Sequence, residues 1–533
     1  MNETIAHWNS IVPRPVDVRP LSTGDSSVDG IQISEPITVS SDNSVLARDV
    51  AAVIAIALGE SSVRATDSAT ATVFVDCENP GGQDGAIVSQ RESWQLECGG
   101  DSEQIVIHST HRLGALRAAA SLAQALAVSS LETYAPSSDQ GARRAIVVPR
   151  AVVSGDFAFS WRGGMLDCSR HMMSIGFIKR FIDLLALHGM NIFHWHLTDD
   201  QGWRLPSNAY PELERKAAWR DDNTTRYGHY GGIYTGDDIA SVVEHATRRG
   251  VTVVPEIDIP GHVSAVLHAY PQFGCRGEEL DVPVRHGIFE DVLCAGSNEV
   301  HTFLETVFDE LCDLFPGPYI HLGGDECPST RWSECPKCRA RMEELGINDP
   351  ALLHGHLVES AANAIRRRGR TPVGWDEVLE GGPPAGMLIM CWRDVAHARP
   401  AIESGYDVVI CPTNCACYFD HKHRDDPDEL GRLSVCTVED TYGFNPGGLK
   451  SEGRKTGNSH GTVVGSQGNI WTEGIPCGKH AEYMAFPRMA ALSEVLAGTA
   501  RRSESLALDL ERIRAHARRL RLLGVNAYDG PPI

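Results

Sequence analysis

The sequence predicts an α/β protein, a (β/α)8 TIM barrel preceded by a small α/β accessory domain. Three observations carry this reading. Eight short apolar runs alternate with helical stretches beyond residue 154, chemically useful polar side chains gather at the C-terminal ends of those runs, and a region of mixed patterning comes before them. At 533 residues the chain exceeds one average domain, although a decorated barrel can take up most of that length. The division is placed at 1–153 for the accessory domain and 154–533 for the barrel.

From about Ile31 to Val148 two segments alternate in polarity, Thr70–Val75 and Gln104–His108, and a helical run follows from His111 to Leu126. That run carries Leu113, Leu116, Ala120, Leu122 and Leu126 near 3.6-residue spacing, the pattern of a helix packed on a small sheet. Ala135–Gly141 has loop composition, and Ser154-Gly-Asp156 marks the transition to the second domain. Beyond it come the barrel strands: Gly164–Asp167, Asn191–Leu197, Val251–Ile257, Tyr319–Leu322, Pro372–Trp375, Met387–Trp392, Asp407–Ile410 and Thr462–Gly465. Helical stretches such as Ile175–His188, Thr235–Arg249 and Ala351–Arg368 separate them. There is no internal repeat and no long low-complexity tract.

Composition narrows the partners. With 42% hydrophobic and 22% charged residues the chain has the balance of a soluble globular protein with a large core. Its net charge of −22 would repel nucleic acid and anionic membranes, so a neutral or cationic small ligand fits better. The start, Met-Asn-Glu-Thr-Ile-Ala-His-Trp, has no cationic segment followed by an apolar run, and no window reaches membrane-spanning length. The 15 cysteines are an odd number spread through a large chain, as suits a reducing compartment. Cytoplasmic residence is expected on these grounds.

Active sites of such barrels assemble where the strands end, and here the ends are rich in acids, imidazoles and indoles. The first is followed by Asp167-Cys-Ser-Arg170-His171, the second by His194-Trp-His196-Leu-Thr-Asp199-Asp200, the third by Pro255-Glu256-Ile-Asp258-Ile-Pro-Gly261-His262. The fourth leads into His321-Leu-Gly-Gly-Asp325-Glu326. Neighbours on an extended strand point to opposite faces, so Asp325 and Glu326 can share a pocket only if the backbone bends, which Gly323 and Gly324 allow. Their roles should therefore differ. Trp375-Asp-Glu377, Trp392-Arg393, Tyr418-Phe-Asp420 and Trp471-Thr-Glu473 complete the set.

Plainer readings stand beside these. A strand-end Trp is most often packing, a strand-end Asp such as Asp199 can be a helix cap, and His262 beside a Pro-Gly turn can cap a helix as well. His194 and His196 point to one side of a strand, yet no HExxH-type spacing accompanies them, and structural histidines are the expectation rather than zinc ligands. Cys327 with Cys335-Pro-Lys-Cys338 looks like half of a zinc knuckle. The only downstream candidate for a second half is Cys415-Ala-Cys417, so free thiols are the default. The basic run Arg366–Arg370 reads as a solvated helix end set against the macrodipole.

Taken in order, Asp167-x-Ser-Arg170-His171, His194-Trp-His-Leu-Thr-Asp199-Asp, Pro255-Glu-Ile-Asp-Ile-Pro-Gly-His262, His321-Leu-Gly-Gly-Asp-Glu326, Gly374-Trp-Asp-Glu377 and Trp471-Thr-Glu473 resemble the β-N-acetylhexosaminidases of glycoside hydrolase family twenty. The resemblance runs from about Ser154 to the C-terminus. It implies exo-acting removal of a terminal β-linked N-acetylglucosamine or N-acetylgalactosamine with retention, the 2-acetamido oxygen of the substrate serving as nucleophile. On that basis Glu326 is the general acid and later the base, its pKa raised by Asp325 and aromatic walls. Asp325 orients the acetamido group and stabilises the oxazolinium-like intermediate, and Tyr418 hydrogen-bonds its oxygen. Trp375, Trp392 and Trp471 wall the pocket, and Arg170, Asp420 and Glu473 hold ring hydroxyls. Asp199 and His262 orient and tune the acid. Neither metal nor organic cofactor is expected, and the substrate is a small molecule or oligosaccharide.

Pro271–Ser297 and Cys327–Asp349 read as insertions beside the active-site mouth, which leaves the leaving group, the choice between the two sugars and the oligomeric state open. The absence of a leader points to imported oligosaccharides or glycoconjugate fragments. Two competing readings are a catalytically silent sugar-binding barrel, and a barrel glycosidase with a protein nucleophile acting on sugars without the acetamido group.

Overall fold

The computed structural model describes residues 3–21, 30–68, 70–81, 92–100, 103–132, 146–222, 228–414, 416–449, 461–500 and 505–530. The predicted loop Ala135–Gly141 and Cys415 lie outside them.

The N-terminal unit is built on a seven-stranded mixed sheet whose strands lie in the order Asp17–Pro20, Ala151–Gly155, Trp94–Cys98, Ile105–His111, Val73–Asn79, Ile37–Ser41 and Val63–Ala65. The helices Ser44–Leu58 and Arg112–Glu132 pack on it and on each other. Leu113, Leu116, Ala120, Leu122 and Leu126, the periodic set of the sequence, are all buried in that contact. Since Ala151–Gly155 pairs with Trp94–Cys98 and with Asp17–Pro20, the small domain reaches slightly past residue 153, and the chain crosses over between Gly155 and Trp161.

All eight predicted barrel strands form: β1 (Trp161–Asp167), β2 (Ile192–His196), β3 (Thr252–Ile259), β4 (Tyr319–Gly323), β5 (Thr371–Trp375), β6 (Leu388–Cys391), β7 (Asp407–Ile410) and β8 (Val463–Ile470). They close into one barrel, each parallel to its neighbours, with β1 joining β8 through pairs such as Met165 with Asn469. A parallel strand is covered by helices outside and side chains inside, so β1, β2 and β4 are buried at every position. Two strands run on past the ends that apolarity marks. β3 continues to Ile259 and carries Glu256 and Asp258 into the barrel wall, and β8 continues to Ile470.

The surrounding helices begin where local chemistry satisfies their first N–H groups. Ser174 accepts from the Phe177 N–H ahead of Ile175–Leu187, and Thr235 with Asp238 forms a capping box for Gly236–Arg248. The basic helix end Arg366–Arg370 turns toward acids of the helix Asn298–Leu314, where Arg367 meets Glu305 at 3.5 Å and Arg368 pairs with Asp313. Among the described residues no helix is long and apolar enough to cross a membrane.

Between the two units sits a buried ion cluster. Glu92 of the small domain accepts from Arg117, from Arg162 of β1 at 2.7 Å and from Asn191 at 2.9 Å. Burial alone would raise its carboxyl, but the two guanidinium groups outweigh that and hold it lowered.

Candidate active site

The β4 end is bent by backbone conformations that other residues resist. Gly323 and Gly324 have φ of 75° and 104°. A Cβ on Gly323 would stand 1.7 Å from Asp258 Oδ1, and one on Gly324 would stand 2.5 Å from Val378 Cγ1. Glu326 itself is left-handed at φ 47°, a strained state for a residue with a side chain. This turn brings Asp325 and Glu326 to the same cavity, as the double glycine suggested. Asp325 is buried, and among the described residues its Oδ1 has no hydrogen-bond partner. The Glu326 side chain is about one-third exposed, at 34%.

His262 joins this pair to a second set of acids. Its Nε2 lies 3.4 Å from Glu326 Oε2 and 3.7 Å from Asp325 Oδ2, and its Nδ1 lies 2.9 Å from Asp200 Oδ2 and 3.5 Å from Asp199 Oδ1. Asp200 is fixed in turn by the hydroxyl and N–H of Ser264, at 2.6 and 3.0 Å. Asp200, which the sequence left without a role, is thus the nearer partner of the imidazole. Asp199 is no helix cap. It lies in the short hairpin Thr198–Asp199 with Gly202–Trp203, accepting from Arg170 at 2.7 Å and standing 3.0 Å from His196 Nε2.

The charges follow from these contacts. Burial works against a charged His262, but Asp199, Asp200 and Glu326 outweigh it and lift the imidazole well above its ordinary value. The hydrogen bond from His262 holds the Glu326 carboxyl below the usual carboxylate range despite its partial burial. Burial pushes Asp325 up to about 6, with Glu256 and Glu326 adding to it against the pull of His262. The raised Glu326 pKa that the sequence led us to expect is therefore not present. Between the two carboxyls it is Asp325 that holds a proton more tightly in the free site, because Asp325 is the more buried and Glu326 the closer to the imidazolium.

Beneath the cavity, Glu256 of β3 collects three imidazoles and an indole. His196 Nδ1 stands 2.5 Å from its Oε2, His194 Nε2 3.0 Å, His321 Nδ1 3.0 Å from Oε1, and Trp375 Nε1–H donates to Oε1 at 2.9 Å. Full burial would raise this acid, yet the histidines hold it well below its ordinary value. His194 and His196 do face one side of β2, and their partner is this carboxylate. Trp375 is pinned by the same acid at 1% exposure.

The aromatic wall forms from four strand ends. Trp471 packs against Trp375 and Tyr418 with ring centroids 5.9 and 6.4 Å apart, and Tyr418 stacks on Trp392 at 6.1 Å. Tyr418 is placed by a backbone bridge to Asn469 of β8. Trp392 donates its Nε1–H to Glu377 at 2.8 Å, and burial raises the Glu377 carboxyl to about 9.

The far end is held by guanidinium groups. Arg170 lies over Trp471 at 5.1 Å and contacts Asp167 at 3.3 Å and Gln201 at 3.1 Å. Arg432, which no strand-end motif indicated, bridges Asp420 at 2.7 Å and Glu473 at 2.5 Å. Asp420 Oδ1 and Glu473 Oε2 are buried and, among the described residues, without a hydrogen-bond partner. The cavity, about 260 Å³, is lined by Arg170, His262, Asp325, Glu326, Trp375, Trp392, Tyr418, Arg432, Trp471 and Glu473. Asp199 and Asp420 stand behind this lining rather than in it. Ile288 and Leu433, both exposed, mark its rim.

The cysteines divide differently from the sequence motif. Cys327 packs near Gly261, away from Cys335 and Cys338, and Cys417 lies inside the barrel near Ser466 Oγ, at 3.4 Å. Cys335 and Cys338 meet Cys275 and Cys294 instead.

Residues 159–497 match the family model described as glycosyl hydrolase family 20, catalytic domain. The chain is 35% identical over 420 residues to a beta-hexosaminidase of Porphyromonas gingivalis, covering 78% of this chain and 52% of that protein. It is 32% identical to a beta-N-acetylhexosaminidase of Cellulomonas fimi, covering 77% of each. The chain thus spans about half the length of the first of these relatives. Among solved structures, the exo beta-N-acetylglucosaminidase of Vibrio harveyi in complex with N-acetylglucosamine superposes with a TM-score of 0.82 at 27% identity, covering 98% of this chain and 78% of that one. The beta-N-acetylhexosaminidase of Streptomyces coelicolor A3(2) superposes with a TM-score of 0.80 at 25% identity, covering 98% of each.

Proposed function

This chain belongs to glycosyl hydrolase family 20, and from that membership we propose that it is an exo-acting β-N-acetylhexosaminidase working by substrate-assisted catalysis. The observation that carries the reading is the placement of Asp325 beside Glu326 on one bent turn, with Asp325 Oδ1 buried at the cavity and, among the described residues, unpartnered. A retaining enzyme with a protein nucleophile needs two carboxyls about 5–5.5 Å apart that flank the scissile bond. Here the other lining carboxylate, Glu473, is held by Arg432 at 2.5 Å. An acid with an idle buried oxygen next to the proton donor suits an amide N–H of the substrate better than an anomeric carbon.

In this mechanism the acetamido N–H arriving at Asp325 favours its anion, so the proton that the pair shares passes to Glu326, which gives it to the glycosidic oxygen as the bond from that oxygen to the anomeric carbon breaks. The acetamido carbonyl oxygen bonds to the anomeric carbon from the opposite side, and Asp325 accepts the acetamido N–H, stabilising the positive charge that develops on the ring it closes. Tyr418 donates its O–H to the acetamido oxygen, and the indoles of Trp375, Trp392 and Trp471 enclose the methyl group and the sugar face. The ionised Glu326 then takes a proton from water. The oxygen of that water bonds to the anomeric carbon, the acetamide is released, and the configuration is retained.

Arg170 and Glu473 bind hydroxyls at the closed end, with Asp420 supporting Arg432 from behind. A pocket closed at that end suits the terminal sugar of a chain, and the exposed Ile288 and Leu433 lie where the leaving group would emerge. His262 keeps the acid pair one proton short of full ionisation or full protonation, and Asp199 and Asp200 keep His262 charged. The N-acetylglucosamine held by the Vibrio harveyi enzyme supports the same class of sugar here.

The test compares an aryl β-N-acetylglucosaminide with the matching aryl β-glucoside. Turnover of the first alone is expected, together with tight inhibition by a thiazoline that mimics the cyclised intermediate. Preference for the plain glucoside, or a glycosyl ester trapped on any side chain, would refute the proposal.

A further inference from the structure

The two segments that the sequence marks as insertions form one knot, and four cysteines lie at its centre. The loop after β3 supplies Cys275 and Cys294, and the segment after β4 supplies Cys335 and Cys338. Every ligand sulfur in this set lies within 4.8 Å of the others. The Sγ separations are 3.8 Å for Cys275 and Cys338, 3.8 Å for Cys294 and Cys335, and 3.6 Å for Cys294 and Cys338. Four thiolates around one zinc ion at about 2.3 Å form a tetrahedron with edges of about 3.8 Å. Disulfides are a poorer fit, since each sulfur would need one partner at about 2.05 Å and Cys294 lies 3.8 and 3.6 Å from two. A cubane iron–sulfur cluster is too large for sulfurs packed this tightly.

The framework around the sulfurs is built as structural zinc sites are. Cys294, Cys335 and Cys338 are buried, and Cys275 is partly so. Cys335-Pro-Lys-Cys338 sits at the start of the helix Pro336–Leu345, with Cys335 as its capping residue, where the positive end of the helix favours thiolates. Gly296 passes so close to the carbonyl of Lys337 that a Cβ there would stand 2.2 Å from it. The knot is closed further by Trp332 Nε1–H donating to Leu293 O at 2.8 Å, and by Asp291 accepting from Arg331 at 3.0 Å and from Arg276 at 2.9 Å. The sequence holds only a half knuckle because its other half comes from a different loop.

We propose that Cys275, Cys294, Cys335 and Cys338 form a tetrahedral all-thiolate site for a structural zinc ion, which ties the loop after β3 to the segment following Glu326. That loop carries Gly287 and Ile288 at the cavity rim, so the ion fixes one side of the active-site mouth without touching the sugar. Closed four-cysteine sites of this kind leave no open coordination position, and the ion takes no part in the reaction.

The full chain, purified without chelator, is assayed for metal by mass spectrometry, and the zinc is then exchanged for cobalt. One zinc per chain is expected, with the charge-transfer and visible bands of tetrahedral cobalt–thiolate after exchange. Cys338→Ser should lose both signals, whereas Cys477→Ser, at an exposed cysteine outside the knot, should keep them. A chain that carries no metal and takes up no cobalt, or whose four cysteines map as two disulfide-linked pairs, overturns the assignment. So does a Cys338→Ser protein that retains its zinc. If that variant does not fold, the metal content and cobalt spectrum of the unaltered chain decide the matter.

Discussion

The two ends of the cavity both hold buried carboxylates, but they neutralise them with different cations. At the reacting end Asp325 and Glu326 lie side by side against one charged imidazole, His262, so a proton remains on the pair and its charges can change. At the closed end Asp420 and Glu473 face Arg432, a guanidinium group that stays charged at every working pH. The difference separates two tasks. A proton can be moved only where the surrounding charges can change, whereas a sugar is held best where they cannot. Substitutions at the two ends should therefore differ in kind as well as in size.

The largest effect is expected at the reacting end. Glu326→Gln should lower kcat by roughly 10²–10⁴ on substrates with poor leaving groups, the range for loss of general acid–base catalysis, and by much less on activated aryl substrates. Asp325→Asn should cost about 10²–10³ with either leaving group, because in the proposed mechanism the developing oxazolinium needs its anion in both cases. Steady-state kinetics with a matched pair of leaving groups checks this. If Asp325→Asn were as sensitive to the leaving group as Glu326→Gln, the division of roles between the neighbours would fail.

A smaller effect is expected at the closed end. Glu473→Gln removes one charged acceptor, and loss of such a hydrogen bond costs about 1.5–3 kcal/mol, or roughly ten- to a hundredfold in kcat/KM. The loss should appear mainly in KM, and the pH profile should keep its shape because Arg432 and Arg170 do not titrate. A moved pH limb in this variant would erase the contrast between the two ends.

The same contrast bears on what the sequence revealed. Barrel strands buried on both faces read as apolar runs between amphipathic helices, so all eight were legible. The Gly-Gly bend at Asp325 was legible too, since few other residues permit it. What stayed hidden depended on contacts between distant segments. Arg432 lies at the start of the short strand Arg432–Val435, outside the barrel, and reaches Asp420 and Glu473 only in the fold. The choice of Asp200 over Asp199 as the nearer partner of His262 turns on one residue of hairpin register. Glu256 was visible in its motif, but not as the anchor of Trp375 and three histidines, because those partners come from β2, β4 and β5. The Glu326 pKa was misjudged for a related reason. Adjacency to Asp325 was visible in the chain, and the imidazolium on its other side was not.

The finest distinction between the two ends is a shift in pH dependence rather than a loss of rate. The productive free enzyme carries one proton on the Asp325–Glu326 pair, so kcat/KM should fall on both sides of that state. On the acid side a second proton adds to a pair whose Glu326 member is held below the ordinary carboxylate range, and on the alkaline side the last proton leaves near the value of about 6 reached by Asp325. His262, lifted well above its ordinary value, stays charged across this window and lowers both carboxyls. His262→Gln removes that positive charge, which raises the pKa of each acid and should move both limbs toward higher pH by about one unit. Glu473→Gln is the control, and its limbs should stay in place. Profiles of kcat/KM for the two variants and the unaltered chain decide it, since a merely structural role for His262, or an imidazole that is neutral in the free enzyme, would lower the curve without moving it along the pH axis.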